Sequence, residues 1–335
     1  CQNPEPGGGP AFARWSANLP RMTSDRDSPA IATFGLGKRY GAIAAVSDLP
    51  LTAPRGSIYG FLGPNGAGKT TTIRMLLGFA RPSAGHALLL GHDCWRDGVA
   101  ARRNLGYLVA GDALYPDMPG SALLDFAADL SGRPPSLRGH VLDALEFGQA
   151  ALARRLGTYS KGMRQKLALT AAIQADPDLL ILDEPSDGLD PLVQRAFEEV
   201  LRGLNHRGRT VFMSSHDLGE VERLCEMVAV VRGGRLIVEE RIDDLKRRHR
   251  RSASIRSRHA TPPDLERVPG VVHVTRDGNR AHLAIEGDIA PLLRELATHD
   301  VADLLLPPPR LDDIFMGFYE TADDATERSA AGAAR

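Results

Sequence analysis

No stretch of about 18 uninterrupted apolar residues occurs in this chain, so it encodes no transmembrane helix. Cysteine is scarce. Cys1, Cys94 and Cys225 are too scattered for a disulfide framework or a zinc site, a usage that suits a reducing cytosol. Lysine stands only at positions 38, 69, 161, 166 and 246, arginine supplying the other basic residues, a skew of codon composition rather than chemistry. The formal net charge of −1 lacks the basic excess that phosphate-backbone binding wants, so no nucleic-acid partner is expected. What remains is a chain of 335 residues, long enough for one large α/β domain and something smaller.

The most informative segment is Gly63-Pro64-Asn65-Gly66-Ala67-Gly68-Lys69-Thr70, which fits G-x-x-x-x-G-K-[ST]. It follows the apolar run Ser57–Leu62 and precedes a helical stretch over Thr70–Phe79, the context a phosphate-binding loop requires. Glycines let backbone N–H groups close around phosphate oxygens, and a helix N-terminus adds its positive dipole end. Lys69 is placed to reach the β- and γ-phosphates, and the Thr70 hydroxyl to ligate Mg²⁺; Thr71 follows as a further nucleotide contact. The alternative, a glycine-rich turn that binds nothing, does not explain the flanking strand and helix. A nucleoside triphosphate is the expected ligand.

A second motif lies near residue 180. Leu179-Leu180-Ile181-Leu182 reads as a strand buried on both faces of a parallel sheet, and it ends in Asp183-Glu184-Pro185. Ligands bind outside the carboxyl ends of such strands. Asp183 is therefore expected to hold Mg²⁺ directly or through water. Glu184 is placed to polarise or deprotonate an attacking water.

Between these motifs, Tyr159-Ser160-Lys161-Gly162-Met163 opens a helical stretch through Ile173. Here the chain resembles the ATPase subunits of ATP-binding-cassette (ABC) transporters, whose signature loop reads roughly LSGGQ at this place. The loop departs from that pattern at its first, third and last positions and looks like the YSKGM variant of drug- and polysaccharide-type exporters. The resemblance covers about residues 31–245 and implies that Ser160 and Gly162 face the γ-phosphate held by a second subunit. Tyr40 matches the aromatic that stacks on adenine. Asp190, ending Ser186-Asp187-Gly188-Leu189-Asp190, matches the residue that braces the subunit interface. His216, after Val211–Ser215, matches the switch residue that contacts the γ-phosphate. Where the family carries Gln this chain has Ala110, which can neither ligate Mg²⁺ nor bond water; Asp112 or an extra water is the substitute.

The expected fold is α/β: a P-loop NTPase of the ABC type, with a mostly parallel core sheet, N-terminal β elements, an inserted helical subdomain and a small C-terminal α+β appendage. The expected organisation is a disordered segment over 1–29, the ATP-binding domain over 30–245, an accessory domain over 252–320 and a disordered tail from 321 to 335. Met22 is a candidate initiator. The basic run Lys246–Arg251 reads as a solvated helix end and linker, or as attraction to anionic lipid. Within the appendage, Val271–Val274 and Ala281–Ile285 flank the hairpin signal Asp277-Gly278-Asn279, and Ile289–Ala297 reads as a helix.

The resemblance implies ATP and Mg²⁺ as cofactors and a catalytic set of Glu184, His216 and Lys69. It implies a second ATPase subunit, most simply another copy of this chain, and a separately encoded membrane permease, with the protein on the cytoplasmic face of the membrane. Export is the expected direction. The segment Leu114–Pro119 is apolar for a loop and is a candidate permease contact or packing element. Two other functions stay open: a soluble ABC ATPase acting on ribosome or DNA, and an ATP-binding regulator without turnover.

Overall fold

The structure is a computed structural model that describes residues 28–108, 115–248, 251–259, 264–307, 311 and 314–315. Ala110, Asp112, Leu114, the segment 1–27 and the tail from 321 lie outside the described residues.

The chain opens with an antiparallel hairpin, β1 (Ile31–Tyr40) and β2 (Ile43–Ala53), followed by β3 (Ile58–Leu62) and α1 (Lys69–Leu76). Then come β4 (Ala84–Leu89), β5 (His92–Asp93), α2 (Gly98–Arg102) and β6 (Leu105–Tyr107). Four helices follow: α3 (Gly120–Ser131), α4 (Arg138–Ala144), α5 (Gln149–Leu152) and α6 (Lys161–Ile173). The core resumes with β7 (Leu179–Asp183), α7 (Pro191–His206), β8 (Thr210–Ser215), α8 (Leu218–Leu224), β9 (Met227–Arg232), β10 (Arg235–Arg241) and α9 (Ile242–Arg248).

The central sheet runs β10-β9-β3-β8-β7-β6, parallel throughout except for the edge strand β10. Its middle strands are apolar runs because both of their faces are covered. Leu180, Leu182, Val211 and Met213 face one layer, where they meet Phe197 and Leu201 of α7. Leu179, Ile181 and Phe212 face the other, with Ile73 and Met75 of α1 and Leu49 and Leu51 of β2. That second layer is capped by an antiparallel sheet in the order β2-β1-β4-β5. β1 runs on to Tyr40, well beyond the strand expected near Ala30–Phe34, because pairing to β2 and β4 carries it through two glycines with register shifts.

The helical subdomain has its own core, built from Leu124, Leu142, Phe147, Leu152, Leu156, Tyr159 and Leu167. Tyr159 explains the first departure from the family's signature loop. Its ring is buried in that core, and its hydroxyl donates to the Ala151 carbonyl at 2.6 Å.

Past α9, the strands β11 (Arg251–Ser257), β12 (Val271–Asp277), β13 (Arg280–Ile285) and β14 (Val301–Leu305), with helix α10 (Ala290–Leu296), form a unit with its own core around Ile255, Leu283, Ile285, Leu292 and Leu296. Its antiparallel sheet is ordered β12-β13-β11-β14. Leu311, Ile314 and Phe315 do not join that core. They are buried with Val221, Leu224, Ile242 and Leu245 in the layer beneath α7 and α8, and the Leu311 N–H donates to Glu222 at 3.3 Å.

Candidate functional site

Three adjacent parallel strands, β3, β8 and β7, deliver the chemistry to one edge of the sheet. Leu62 at the end of β3 pairs with Ser215, and Asp183 at the end of β7 pairs with Ser214. The phosphate loop, His216 and the Asp183-Glu184 pair therefore leave the sheet side by side, although they are spread over more than a hundred residues of sequence.

The loop's shape depends on its neighbours. Gly68 has φ +104°, and a Cβ there would stand 2.7 Å from the Ala45 carbonyl oxygen of β2. The Gly234 N–H donates to the Ala67 carbonyl at 3.0 Å, and Ser47 N–H donates to the Gly234 carbonyl at 2.8 Å. The loop is thus fixed between β2 and the turn joining β9 to β10. Tyr40 sits at the tip of the same hairpin, paired with Ile43. Its ring is about half exposed, with the Lys38 ammonium 5.0 Å from the ring centroid.

Lys69 is 6% exposed, and its ammonium donates to the Gly63 carbonyl at 2.6 Å and pairs with a Glu184 carboxylate oxygen at 3.3 Å. The other Glu184 oxygen lies 2.7 Å from His216 Nδ1. Lysine, glutamate and histidine therefore form one connected set. Glu184 itself has φ +49°, a strained conformation for a residue with a side chain, and such strain concentrates at functional sites. Asp183 accepts a hydrogen bond from the Ser214 hydroxyl, and the same hydroxyl accepts from the Glu184 N–H at 3.0 Å.

Ser214 is thus a residue that the sequence reading missed: one hydroxyl holds the Asp183 carboxylate and the Glu184 backbone. Gln165 is another, its amide donating to the Pro185 carbonyl at 2.7 Å and tying α6 to the acidic turn. Both lie inside segments already singled out, but neither residue type is diagnostic alone.

The signature loop forms a regular cap. Ser160 accepts from the Met163 N–H at 3.2 Å, and α6 starts at Lys161. Lys161 pairs with Asp187 at 2.6 Å, so this loop faces the turn after Glu184 in its own chain. Asp190 caps α7 by accepting from the Val193 N–H at 3.0 Å, and that bond holds its carboxyl below the usual range. Among the described residues, no hydrogen bond or ion pair joins Ser160 to the phosphate loop of the same chain. Tyr115 is about half exposed, while Met118 packs against the helical subdomain.

The ABC transporter family model matches residues 46–187, which take in the phosphate loop, the signature loop and the acidic strand end. The bacitracin transport ATP-binding protein BcrA of Bacillus licheniformis is 32% identical over 303 residues, covering 86% of this chain and 97% of that relative. The chain belongs to the ABC transporter ATP-binding proteins. The daunorubicin/doxorubicin resistance ATP-binding protein DrrA of Streptomyces peucetius is 38% identical, over 65% of this chain and 67% of its own. The Nod factor export ATP-binding protein I of Burkholderia orbicola is 40% identical, over 60% and 67%. Among solved structures, an ATP-binding subunit of an ABC transporter superposes with a TM-score of 0.61 at 28% identity, over 65% of this chain and 92% of that one. A dimeric bacterial ABC transporter cassette shares the fold at a TM-score of 0.58 and 21% identity, over 63% and 98%.

The cassette is accordingly the ATP-binding, ATP-hydrolysing subunit of an ABC transporter. ABC ATPases of this kind dimerise and work with membrane permeases. Among the described residues no helix is long and apolar enough to cross a membrane.

Proposed function

We propose that this chain powers an exporter from the cytoplasmic face of the membrane, held there through a separately encoded permease. Two copies would close around two ATP molecules. Each phosphate loop, Gly63 to Thr71, would cradle one triphosphate, with Tyr40 against the adenine. Ser160 and Gly162 of the opposite copy would cap the γ-phosphate, and Asp190 would brace the interface. The names of two relatives support the direction: one carries export in its description and another carries drug resistance. Among the described residues of the expected permease contact, Tyr115 is exposed.

Mg²⁺ fits the donors present. Thr70 offers a hydroxyl and Asp183 a carboxylate, both hard oxygen ligands, and no group of three or more His, Cys, Asp or Glu forms a cage among the described residues. That suits an ion that keeps waters and binds mainly through substrate phosphates. When bound, it would neutralise developing phosphate charge. Lys69 would supply the fixed cation at the γ-phosphate, and removing such a preorganised charge typically costs about 10²–10³-fold in rate. Glu184 would take the proton of the attacking water, and His216 would hold that carboxylate and contact the γ-phosphate.

The observation that carries this reading is the connected set of Lys69, Glu184 and His216 at the phosphate loop. Glu184→Gln tests it. The amide keeps the shape but cannot accept the proton, so ATP affinity should persist while turnover falls at least about a hundredfold. Light scattering should then show an ATP-dependent shift from monomer to dimer. Normal turnover in this variant would remove Glu184 from the base role.

A further inference from the structure

Glu220 is a charged side chain that the site above does not use, yet it is only 2% exposed. It sits in the first turn of α8, and each of its carboxylate oxygens has a different partner. Oε1 accepts from the Ser186 hydroxyl, and Oε2 accepts from the Ser215 hydroxyl at 2.7 Å. Ser186 lies just past Glu184 in the chain, and Ser215 immediately precedes His216. The Glu184 carboxylate and His216 Nδ1 then meet at 2.7 Å, which closes a ring: Glu184, Pro185, Ser186, the Glu220 carboxylate, Ser215, His216 and back to Glu184.

We propose that Glu220 is a positioning residue for hydrolysis, a buried carboxylate that holds the turn after Glu184 and the end of β8 at the spacing the Glu184–His216 contact requires. The proposal rests on the reading that Glu184 and His216 act on the attacking water.

The chemistry of the ring supports a positioning role over simple packing. A carboxylate offers two separate acceptor oxygens, and here each takes a hydroxyl from a different element. Burial disfavours its charge and pushes the carboxyl above the usual range, so an apolar residue would fill this space with less penalty unless both bonds served a purpose. The nearby countercharge, Arg223, is committed chiefly to another carboxylate. Asp217 and Glu198 both act against its ionisation, and Arg223 is bonded to Glu198 at 2.9 Å. The Ser215 hydroxyl also accepts from the Asp217 N–H at 3.0 Å, so the carboxylate fixes the start of α8 together with the residue that carries the imidazole.

The test is steady-state ATPase kinetics on the purified full chain, with thermal unfolding of each variant. Glu220→Ala should lower kcat about tenfold or more, since small displacements of reacting groups are costly, while KM for ATP stays within about twofold. Glu220→Gln keeps the length and can accept from one serine while donating to the other, so its kcat should recover to within about threefold of the parent. Ser186→Ala and Ser215→Ala each cut one side of the ring and should each lower kcat at least about threefold with unchanged KM. A folded Glu220→Ala with kcat within about twofold of the parent overturns the proposal, as does a Gln variant no better than Ala. If Glu220→Ala does not fold, the two serine variants decide on the same criterion. Glu184→Gln measured alongside separates the two readings. An inactive Glu184→Gln beside an unimpaired Glu220→Ala overturns the ring alone, whereas an active Glu184→Gln overturns the base assignment and, with it, the purpose of the ring.

Discussion

Gly162 has room for a hydrogen and little else. A Cβ at this position would stand 2.7 Å from the Gly188 carbonyl oxygen, backbone that cannot swing aside. Its neighbour Lys161 pairs with Asp187, so the signature loop and the turn after Glu184 are in direct contact within one chain. A displacement of one moves the other. Gly162→Ala should therefore leave ATP binding to the single chain unchanged while lowering turnover by about tenfold or more, because a slight misplacement of the capping loop is costly. Fluorescent-nucleotide titration beside a phosphate-release assay checks the pair. Weakened binding with unaltered kcat would show that this glycine serves the chain's own nucleotide rather than the composite site.

At the scale of elements, the two ends of the central strands have different duties. Their carboxyl ends carry Asp183, Ser214 and Ser215, whereas their amino ends are fastened by Arg209. That guanidinium meets Asp176 through two bonds, at 3.1 and 2.6 Å, and Asp178 at 2.6 Å. It thereby ties the start of β7 to the start of β8. The Arg209 guanidinium holds the Asp176 carboxyl below the usual aspartate range. A carboxylate depressed in the folded state stabilises above its unfolded value and loses that contribution as pH falls through the folded one. Arg209→Leu should thus cost about 1–2 kcal/mol at neutral pH, a bidentate pair discounted for its partial exposure. The gap from the parent should begin to narrow below about pH 4 and close only as the pH falls through the depressed folded value. Urea unfolding at the two pH values measures it, and ATP turnover at neutral pH should be unaffected because the site lies at the opposite end of the strands.

At the scale of the whole molecule, the last described residues decide how the parts are joined. The unit built on β11 to β14 leaves the cassette after α9, and the chain then returns to bury Leu311, Ile314 and Phe315 in the cassette core. An accessory domain drawn over 252–320 therefore takes in residues that belong energetically to the cassette. Truncating a fully buried Phe costs about 3–5 kcal/mol, so Phe315→Ala should lower the melting temperature of the cassette by roughly 6 °C or more. A matching truncation within the other core, Leu292→Ala, should destabilise that unit. Differential scanning calorimetry resolves which transition moves. A Phe315→Ala scan superimposable on the parent would show that the returning segment adds nothing to the cassette.

The features legible in the sequence are those whose causes are local. The phosphate loop is a contiguous strand, glycine turn and helix, and its spacing alone names Lys69 and Thr70. Ser160 and Asp190 cap helices that begin at the next residue, bonding N–H groups three positions on. The apolar runs of β7 and β8 announce a doubly covered parallel sheet, and the acid or histidine after each run marks its functional end. Strand β11 was not legible, since its inward Ala253, Ile255 and Ser257 are too small and mixed to give an apolar alternation. Tertiary structure decided the remainder. Ser214 reaches back to Asp183 and Glu184, Gln165 to Pro185, and Glu220 to Ser186 and Ser215, each across contacts that spacing does not encode. The Ala45 carbonyl closes on Gly68 only because β2 lies over the loop. Serine, glutamine and glutamate are common on surfaces, so their identity carries no signal until folding buries them against a particular partner. Burial makes an unmade hydrogen bond expensive, and that cost turns an ordinary side chain into a positioning one.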